Sequence, residues 1–487
     1  MNKPLIHPVS AENDSSTPTH RASGDGLPRS PTLKDMPRSA TIKDMLLAPS
    51  VSLHALMRRT TLLQGKRIAL VSAVLNVMNC IMGSGILALP SVMAENGIVV
   101  YIVLQLLMMI AVDFSLHLLV AASRAQAVIS YEELGVKAFG FPGKVAVCLS
   151  IVVNNKAAIL SYLIVAGDIA PTLSQELIRR TGSLWEDRTF LLCLLTAAII
   201  SPLALASSRK IGVLAYCSLL SFCVMVLLCV LSTVEYAALP CASHVVPEMA
   251  TPGLHTALAL PTLSFSFVCH TAFLPVLREL GEADDLGRAT RPPWRRSIVG
   301  HAAIALAGCM YMWAATMGYL TFGRATEGDI FLNYADEVPA HDPFVTLVRC
   351  GFLLSVLCTV PMLLLPLRRA WLQLLRPSAT ESLPINILLS AVIVIGLLGI
   401  AIVVPDIKIV LRLSGATSSV MLVFLLPPTF FLRCVPDASR SARLSAKALF
   451  CLGVVLSLLS FVALGIQPNS SGASSLPPTA PPSLLAA

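Results

Sequence analysis

The chain has 487 residues, of which 55% are hydrophobic and only 13% are charged. Soluble domains carry about 25% charged residues, so this composition excludes a soluble fold. The formal net charge of +8 would suit nucleic acid in a soluble chain, but most basic residues flank hydrophobic runs. We therefore expect the lipid bilayer as a partner, and no nucleic acid.

Residues 1–66 are rich in Ser, Thr, Pro and charge, with little apolar periodicity. They predict a disordered cytosolic tail rather than a cleaved signal peptide, because no apolar stretch follows Met1 closely. A short repeat within them, Arg29–Met36 echoed by Arg38–Met45, places Ser and Thr beside basic residues. The repeat is either a target of kinases, whose phosphates would add charge to the tail, or duplicated sequence without a role.

Residues 67–466 hold about 11 apolar runs, each long enough to cross a hydrocarbon core of about 30 Å as a helix. We predict an all-α membrane protein whose transmembrane domain covers this range. Residues 467–487 carry no charged side chain and predict a short disordered tail on the non-cytosolic side. The spans are expected at 68–93, 98–122, 145–170, 189–206, 211–235, 254–277, 298–321, 344–367, 385–404, 408–432 and 446–466.

Basic residues between the spans predict the orientation of the chain. If the N-terminus is cytosolic, the cytosolic segments hold most of the Lys and Arg residues of this region. The opposite segments hold mainly Arg179, Arg180, Arg188, Arg324 and Lys408. The positive-inside rule therefore predicts a cytosolic N-terminus and a non-cytosolic C-terminus.

The first span contains Gly83-Ser84-Gly85 near its middle. Glycine weakens helices, and irregular backbone at membrane depth persists only where it faces protein or a water-filled cavity. One interpretation is a broken helix, whose second half offers free N–H groups to a carboxylate. The other is a close contact between intact helices through small residues. Gly83, Ser84 and Gly85 are therefore candidate substrate-binding residues.

The sixth span favours the broken-helix interpretation. Ser266, Cys269 and His270 lie in its middle, and a Leu-Pro pair follows them, as in the first span. Interruptions at corresponding places in spans one and six are typical of two inverted five-helix repeats. Carbonyl groups freed in span six would accept hydrogen bonds from a substrate ammonium, which makes these three residues further candidates. His270 is either a hydrogen-bonded structural residue or a proton carrier.

Several motifs occur in order along the chain. They are Asn76-x-x-Asn79-x-x-x-Gly83-Ser-Gly-Ile-Leu, Ser130-Tyr-Glu-Glu-Leu-Gly, Ala138-Phe-Gly-x-Pro-Gly143, Asn155, Ser161-Tyr-Leu, Ser266-Phe-Val-Cys-His270, Leu274-Pro275, Gly318-Tyr-Leu-Thr-Phe-Gly323 and Thr359-Val-Pro361 with Arg368-Arg369. Together they resemble the amino acid/auxin permease family, and most closely its sodium-coupled neutral amino acid transporters of systems A and N.

The resemblance implies a LeuT-like fold of two five-helix repeats with broken helices one and six, and symport of amino acids, chiefly neutral ones, by alternating access. It also implies that Asn79 in span one and Thr359 in span eight help to bind a sodium ion. Na⁺ is a hard cation that prefers oxygen ligands, such as amide, hydroxyl and carbonyl oxygens. The alternative for Thr359 is a hydrogen bond from its hydroxyl to its own helix, before Pro361.

Lys156, near the middle of span three, departs from the family, which usually has an apolar side chain there. An ammonium group at that depth is costly and normally faces a partner or an aqueous cavity. Lys156 provides a resident charge in place of Na⁺, titrates to couple transport to protons, or forms a structural ion pair with Asp113 in span two. Coupling to Na⁺ and coupling to H⁺ both stay open, with Lys156 as a candidate coupling residue.

No enzyme motif such as GxSxG or HExxH occurs in the spans, so neither an enzyme nor a catalytic residue is expected. The 13 cysteines show no metal-ligand spacing, so no cofactor is expected apart from a coupling Na⁺. The main rival function is an amino-acid sensor that signals through residues 1–66. Within transport, a proton-coupled exporter of a vacuolar or lysosomal membrane is the alternative to a plasma-membrane importer.

Overall fold

The computed structural model describes residues 70–178, 183–197, 211–238, 246–282, 294–337, 342–375 and 383–466. The predicted tails at 1–66 and 467–487 lie outside these residues, as does the second half of the fourth predicted span. The helices are α1 (Leu70–Ile81), α2 (Gly85–Asn96), α3 (Ile98–Gln126), α4 (Tyr131–Leu173), α5 (Ser183–Glu186), α6 (Arg188–Leu195), α7 (Ile211–Ala238), α8 (Leu254–Ser266), α9 (His270–Glu282), α10 (Trp294–Phe322), α11 (Ile330–Glu337), α12 (Pro343–Leu375), α13 (Leu383–Val403), α14 (Ile407–Ser414), α15 (Leu426–Cys434) and α16 (Arg440–Ile466).

These helices confirm an all-α membrane protein. In this part of the chain, nine helices are long and apolar enough to cross a membrane when α8 with α9, and α14 with α15, are each counted as one helix. Up to ten spans result if the bent pair of α1 and α2 is counted as one more. They coincide with every predicted span except the fourth, of which only the beginning, in α6, is described. The total number of spans therefore stays a prediction.

Both predicted interruptions are present. Between α1 and α2 the chain leaves the helix over residues 82–84, and the two helices are bent by 58°. Between α8 and α9 it leaves the helix over residues 267–269, while the two halves stay aligned closely enough to form one span. The broken-helix interpretation of Gly83-Ser84-Gly85 is thereby confirmed. The matched interruptions of the first and sixth spans support the LeuT-like arrangement.

The helix of the third span begins at Tyr131, well before the predicted start at 145. Ser130 caps it, because its hydroxyl oxygen accepts a hydrogen bond from the Glu133 amide at 3.1 Å. The helix is kinked at Gly140, whose φ of 66° is readily adopted by glycine. Capping thus extends this helix beyond the apolar run on which the prediction rests.

The tenth span is irregular between α14 and α15. Gly415–Ser419 and Met421–Leu425 form π-helical turns, in which the normal pattern of backbone hydrogen bonds is shifted by one residue. Hydroxyl groups of neighbouring helices bind carbonyl oxygens of the second turn. Tyr131 donates to one of them at 2.8 Å, and Ser115 donates to that of Val423. These side chains connect span ten to spans two and three.

The helix α2 lies at the centre of the described helices and is buried along nearly its whole length. It packs against α8 and α10, and α8 in turn packs against α14 and α16. The pair of α4 and α12 forms another extensive contact. The interruption before α2 is therefore enclosed by protein, as irregular backbone at membrane depth requires.

Candidate functional site

The two interrupted spans touch at Gly85 and Ser266. Gly85 is the first residue of α2, and Ser266 is the last residue of α8. A Cβ atom placed on Gly85 would run into the Ser266 side chain and lie 3.3 Å from the Ser266 Cα atom. This close approach therefore requires a residue without a side chain, and it brings the two breaks face to face.

The hydroxyl group of Tyr311 joins the two breaks. Tyr311 lies on α10 and is fully buried. Its oxygen is 2.6 Å from the carbonyl oxygen of Ile81, at the end of α1, and 3.0 Å from that of Ser266. Carbonyl groups at helix ends lack a partner within their own helix. One hydroxyl proton is thus shared between two acceptors that converge on the same point.

Side chains of α4 close another side of the first break. A Cβ atom on Gly83 would lie 2.9 Å from the hydroxyl oxygen of Tyr162. The hydroxyl oxygens of Ser84 and Ser161 lie 2.5 Å apart. Ser161 donates its proton to the carbonyl oxygen of Ala158 at 2.9 Å, so Ser84 is the donor to Ser161. Hydroxyl groups thus line the freed backbone of the first span.

His270 is fully buried and is hydrogen-bonded through its Nε2 atom. Nε2 lies 3.0 Å from the hydroxyl oxygen of Ser115. Because Ser115 gives its only proton to the carbonyl oxygen of Val423, it accepts from His270, and the imidazole proton is on Nε2. The Nδ1 atom has no hydrogen-bond partner among the described residues. This geometry favours a neutral, structural His270 that connects α9 to α3.

The other predicted residues of the sixth span contribute backbone rather than side chains. The Ser266 hydroxyl donates to the carbonyl oxygen of Thr262 in its own helix at 2.9 Å. Cys269 is 1% exposed, and its carbonyl oxygen accepts from the Phe273 amide at 3.0 Å. The carbonyl group of Ser266, and not its hydroxyl, is therefore the group directed at the meeting point of the breaks.

The structure places the two predicted sodium ligands on different helices. Asn79 is partly buried in the last turn of α1, and Thr359 is buried in α12. The Thr359 hydroxyl donates to the carbonyl oxygen of Ser355 at 2.8 Å, which is the back-bonding alternative for this residue. Because this bond uses the hydroxyl proton, the oxygen lone pairs stay available to a cation.

Lys156 lies on α4 and faces α12. Its Nζ atom is 4.8 Å from the centre of the Trp371 ring, in a cation–π contact. On α12, Trp371 is separated from Thr359 by about 18 Å at a rise of 1.5 Å per residue. The geometry thus holds the ammonium group of Lys156 away from the hydroxyl group of Thr359.

The predicted ion pair between Lys156 and Asp113 is wrong. The Asp113 carboxylate on α3 lies 2.7 Å from Nδ1 of His301 on α10 and 3.6 Å from Nδ1 of His117, one turn away on α3. The sequence places Lys156 and Asp113 at a similar depth in the membrane. It does not show that the face of α3 that carries Asp113 packs on α10. Asp113 is thereby partnered by imidazole groups rather than by the ammonium.

The same three side chains form a possible metal-ligand set. Asp113, His117 and His301 each offer one ligand atom, and these atoms lie within 4.8 Å of one another. Two imidazoles and a carboxylate suit a divalent transition metal such as Zn²⁺ rather than Na⁺. The proposed function does not depend on this cluster.

A cavity of about 340 Å³ lies at the end of α2 away from the break, lined by charged side chains. On one wall, both carboxylate oxygens of Glu95 accept from Arg412 on α14, at 2.6 and 2.8 Å. Lys408 adds its ammonium group 3.5 Å from Glu95. On another wall, Arg324 pairs with Glu248. The cavity therefore presents both signs of charge.

A second set of buried charges lies beside the loop before α11. Arg188 pairs with Asp168 at 2.6 Å, and Arg349 pairs with Glu176 at 2.8 Å. Asp329 in the loop is 1% exposed and interacts electrostatically with Asp168, Arg188 and Arg349. Burial, and next the repulsion of Asp168, raises the pKa of Asp329 to about 8.

This pKa predicts that Asp329→Asn stabilises the protein at alkaline pH. The unfolded chain has an aspartate pKa of about 3.9, so the folded protein retains the proton and loses stability as pH rises from about 4 to about 8. Asparagine does not ionise, and it can keep the bond in which Oδ1 accepts from the Phe331 amide at 3.0 Å. The melting temperature of the variant should exceed that of the wild type by at least about 3 °C at pH 9.

The decisive measurement is the difference in melting temperature between Asp329→Asn and the wild type as a function of pH. This difference should grow between pH 5 and 8 and then level off. The control Asp437→Asn, at an exposed position, should show no such trend. A difference that is constant from pH 5 to 9 would contradict the raised pKa.

Tyr311 and Tyr162 are not among the residues that the sequence analysis selects, although both contact the breaks. Tyr162 stands in the Ser161-Tyr-Leu motif, which is a signal that could have identified it. Tyr311 lies in an apolar run outside the motifs. One sequence shows how deep such a residue lies in the membrane but not which helix it faces.

Comparison with known proteins places the chain in a family. Residues 66–467 match the family described as transmembrane amino acid transporter protein, and this range contains every described helix. The chain is similar to sodium-coupled neutral amino acid symporter 2 of Danio rerio, with 30% identity over 423 residues that cover 81% of each protein. Among solved structures, it is similar to a manganese transporter of Eremococcus coleocola crystallised with an aromatic bis-isothiourea substituted compound. The two chains are 12% identical and have a TM-score of 0.49, and the match covers 83% of this chain and 89% of that chain. On the strength of the family match, this chain belongs to the transmembrane amino acid transporter proteins.

Proposed function

We propose that the chain is a secondary active transporter that moves neutral amino acids across a membrane by alternating access, together with Na⁺. The family match supports amino-acid transport, and the symporter of Danio rerio supports a neutral substrate and sodium coupling. The observation that carries the proposal is the contact between two unwound segments, where the carbonyl groups of Ile81 and Ser266 converge.

A zwitterion fits these breaks because they expose both kinds of backbone group. The backbone bonds at the start of α2 are donated by Ile86 and Leu87, so the amides of residues 83–85 precede the helical ladder. The Gly83 and Ser84 amides interact with the hydroxyl groups of Tyr311 and Tyr162, so a carboxylate would bind the Gly85 amide and displace these hydroxyls. The converging carbonyl groups of Ile81 and Ser266 can bind an ammonium. The proposed substrate site comprises Gly83, Ser84, Gly85 and Ser266. Of the other two predicted residues, His270 has the structural role described above, and the Cys269 carbonyl is already bound by the Phe273 amide.

We propose that oxygen ligands on two helices bind the coupling ion. The proposed ligands are the Asn79 amide oxygen and the Thr359 hydroxyl oxygen, whose lone pairs the bond to Ser355 leaves available. Two side-chain oxygens are fewer than a sodium ion binds, so freed carbonyl groups complete the proposed site. Proton coupling through Lys156 is the alternative.

Lys156→Met distinguishes the two coupling ions. We expect the variant to keep Na⁺-dependent uptake within about twofold of the wild type, because its cation–π partner Trp371 contributes only about 0.5–1 kcal/mol at a partly exposed site. Uptake is measured with and without Na⁺ across a pH series. Wild-type uptake that follows pH and not Na⁺ overturns the sodium assignment, and loss of that pH dependence in Lys156→Met identifies Lys156 as the coupling residue.

Transport itself is tested with the purified full chain in proteoliposomes. Labelled L-alanine is the probe, and each common amino acid is added as a competitor while Na⁺ and pH are varied together. We expect Na⁺-dependent flux that small neutral amino acids inhibit. A protein that binds alanine and moves none of it is a sensor. Flux that an H⁺ gradient drives without Na⁺ indicates the proton-coupled exporter of a vacuolar or lysosomal membrane.

We propose that the N-terminus is cytosolic, with the chain in the plasma membrane or in a vacuolar or lysosomal membrane. The distribution of basic residues supports this orientation. It would expose the repeat at Arg29–Met36 and Arg38–Met45 to cytosolic kinases. An epitope at the N-terminus should then become accessible to antibody only after cells are permeabilised.

A further inference from the structure

The meeting point of the two breaks is held by a side chain of the protein itself. The carbonyl oxygens of Ile81 and Ser266 both lie within hydrogen-bond distance of the Tyr311 hydroxyl. The Tyr311 ring packs edge-to-face against Phe267 with ring centres 5.2 Å apart, so a buried, well-packed ring aims the hydroxyl. A substrate ammonium can take both carbonyl groups only if this hydroxyl moves away.

We propose that Tyr311 is a tethered competitor of the substrate. Its hydroxyl binds the converging carbonyl groups while no substrate is bound, and the substrate ammonium displaces it. The inference rests on the proposed function, because it assigns these carbonyl groups to an amino acid, and it adds a residue that tunes affinity.

The exchange favours the substrate for a reason of hydrogen-bond chemistry. A hydroxyl group has one proton to share between two acceptors, whereas an ammonium group has three donors and a positive charge. Hydrogen bonds from a charged donor are roughly twice as strong as neutral ones. The ammonium therefore wins, but it gains only the difference between the two sets of bonds. Tyr311 thus weakens substrate binding, which helps a carrier to release its cargo.

The displaced hydroxyl has an alternative partner on α3. Tyr101 is fully buried, and its hydroxyl has no hydrogen-bond partner among the described residues. It is close enough to Tyr311 for the two groups to interact electrostatically. A buried hydroxyl without a partner is unfavourable. In this proposal Tyr101 binds the Tyr311 hydroxyl once the ammonium holds the carbonyl groups, which requires the two side chains to approach each other.

A tethered competitor also affects the return of the unloaded carrier. Net uptake by a symporter requires the carrier to reorient without substrate, whereas exchange of substrate for substrate uses only the loaded carrier. Buried carbonyl groups that lose their donor destabilise the unloaded carrier but not the loaded one. Tyr311 thus stabilises the unloaded carrier during its return. Removing its hydroxyl should therefore reduce net uptake without reducing exchange.

Tyr311→Phe removes the hydroxyl and keeps the ring. In the purified full chain we expect L-alanine to bind about tenfold more tightly, because binding no longer breaks the bonds of Tyr311. Without alanine, the melting temperature of the variant should be lower than that of the wild type. Adding alanine should raise the melting temperature of the variant by more than it raises that of the wild type. In proteoliposomes it should keep alanine exchange and lose most net uptake. Tyr334→Phe is the matched control, since it removes an equally buried hydroxyl that binds Ser232 at 3.1 Å, and it should behave as wild type.

Tyr101→Phe is expected to act in the opposite direction. It removes the alternative partner of Tyr311, so alanine binding should weaken while the melting temperature without alanine stays unchanged. A merely structural Tyr311 would make both variants bind alanine more weakly or leave both unchanged. Alanine binding by a folded Tyr311→Phe that is equal to or weaker than wild type overturns the inference.

Three further outcomes keep the test decisive. If Tyr311→Phe does not fold, Tyr101→Phe decides alone, and unchanged or tighter binding by that variant overturns the inference. If the wild type carries no amino acid, the proposed function fails. If the wild type carries alanine and Tyr311→Phe matches it in affinity and in the ratio of net uptake to exchange, only the role of Tyr311 fails.

Discussion

Gly85→Ala is expected to reduce transport by at least about tenfold. The added Cβ atom would collide with the Ser266 side chain and lie 3.3 Å from its backbone, and Ser266 cannot retreat without moving the end of α8. Over-packing of this kind costs about 1–3 kcal/mol. Here it also separates the Ile81 and Ser266 carbonyl groups that the ammonium would bridge. The measurement is the initial rate of L-alanine uptake per amount of folded protein.

Gly399→Ala is the matched control for this substitution. Gly399 lies on α13, and a Cβ atom there meets no atom within 4 Å, so its uptake should stay within about twofold of the wild type. Melting temperatures of both variants separate loss of folding from loss of transport. Wild-type uptake by Gly85→Ala would contradict the close approach of the two breaks.

Arg412→Gln is expected to lower uptake by at least about fivefold and to reduce the melting temperature. The Arg412 side chain is 9% exposed and is bound by both carboxylate oxygens of Glu95. Breaking a buried pair by removing one partner costs about 3–5 kcal/mol. The loss in the free energy of unfolding should be about half of that, since Glu95 is 24% exposed and Lys408 remains nearby.

A double-mutant cycle isolates this pair. Glu95→Gln combined with Arg412→Gln should be less damaging than the sum of the single changes, because neither charge is then left without its partner. Lys408→Gln serves as the control within the same cluster, since its ammonium is 3.5 Å from Glu95 and 22% exposed, and its effect should be at most about a third of that of Arg412→Gln. If the effects of the two single substitutions simply add up to that of the double substitution, the ion pair contributes nothing to stability or uptake.

The features that the sequence predicts well are those that depend on depth in the membrane. Apolar runs mark the spans because a helix needs about 20 apolar residues to cross a bilayer. Gly83-Ser84-Gly85 marks a break because such residues are poor helix formers where the backbone cannot bind water. Ser266 and His270 mark the second break for a related reason. In each case, the residue type alone limits what the backbone can do.

The features that the sequence does not predict depend on the direction in which a side chain points. Lys156 and Asp113 lie at similar depth, yet one faces Trp371 and the other faces His301. Tyr311 joins two carbonyl groups that are far from it along the chain. Helix rotation and the order of packing decide these contacts, and a single sequence contains no signal for either.

The charge at the cavity also depends on how the tenth span is rotated about its axis. Arg412 precedes these turns, while the Val423 carbonyl that binds Ser115 lies within them. A π-helical turn holds about one residue more than an α-helical turn, so these turns absorb extra residues without rotating the rest of the span. One residue inserted between Arg412 and Gly415, where the helix is regular, would instead rotate everything before it by about 100° relative to the anchored part. The guanidinium of Arg412 would then swing away from Glu95. A change in the length of this helix would thus alter the electrostatics of the cavity without replacing any residue that lines it.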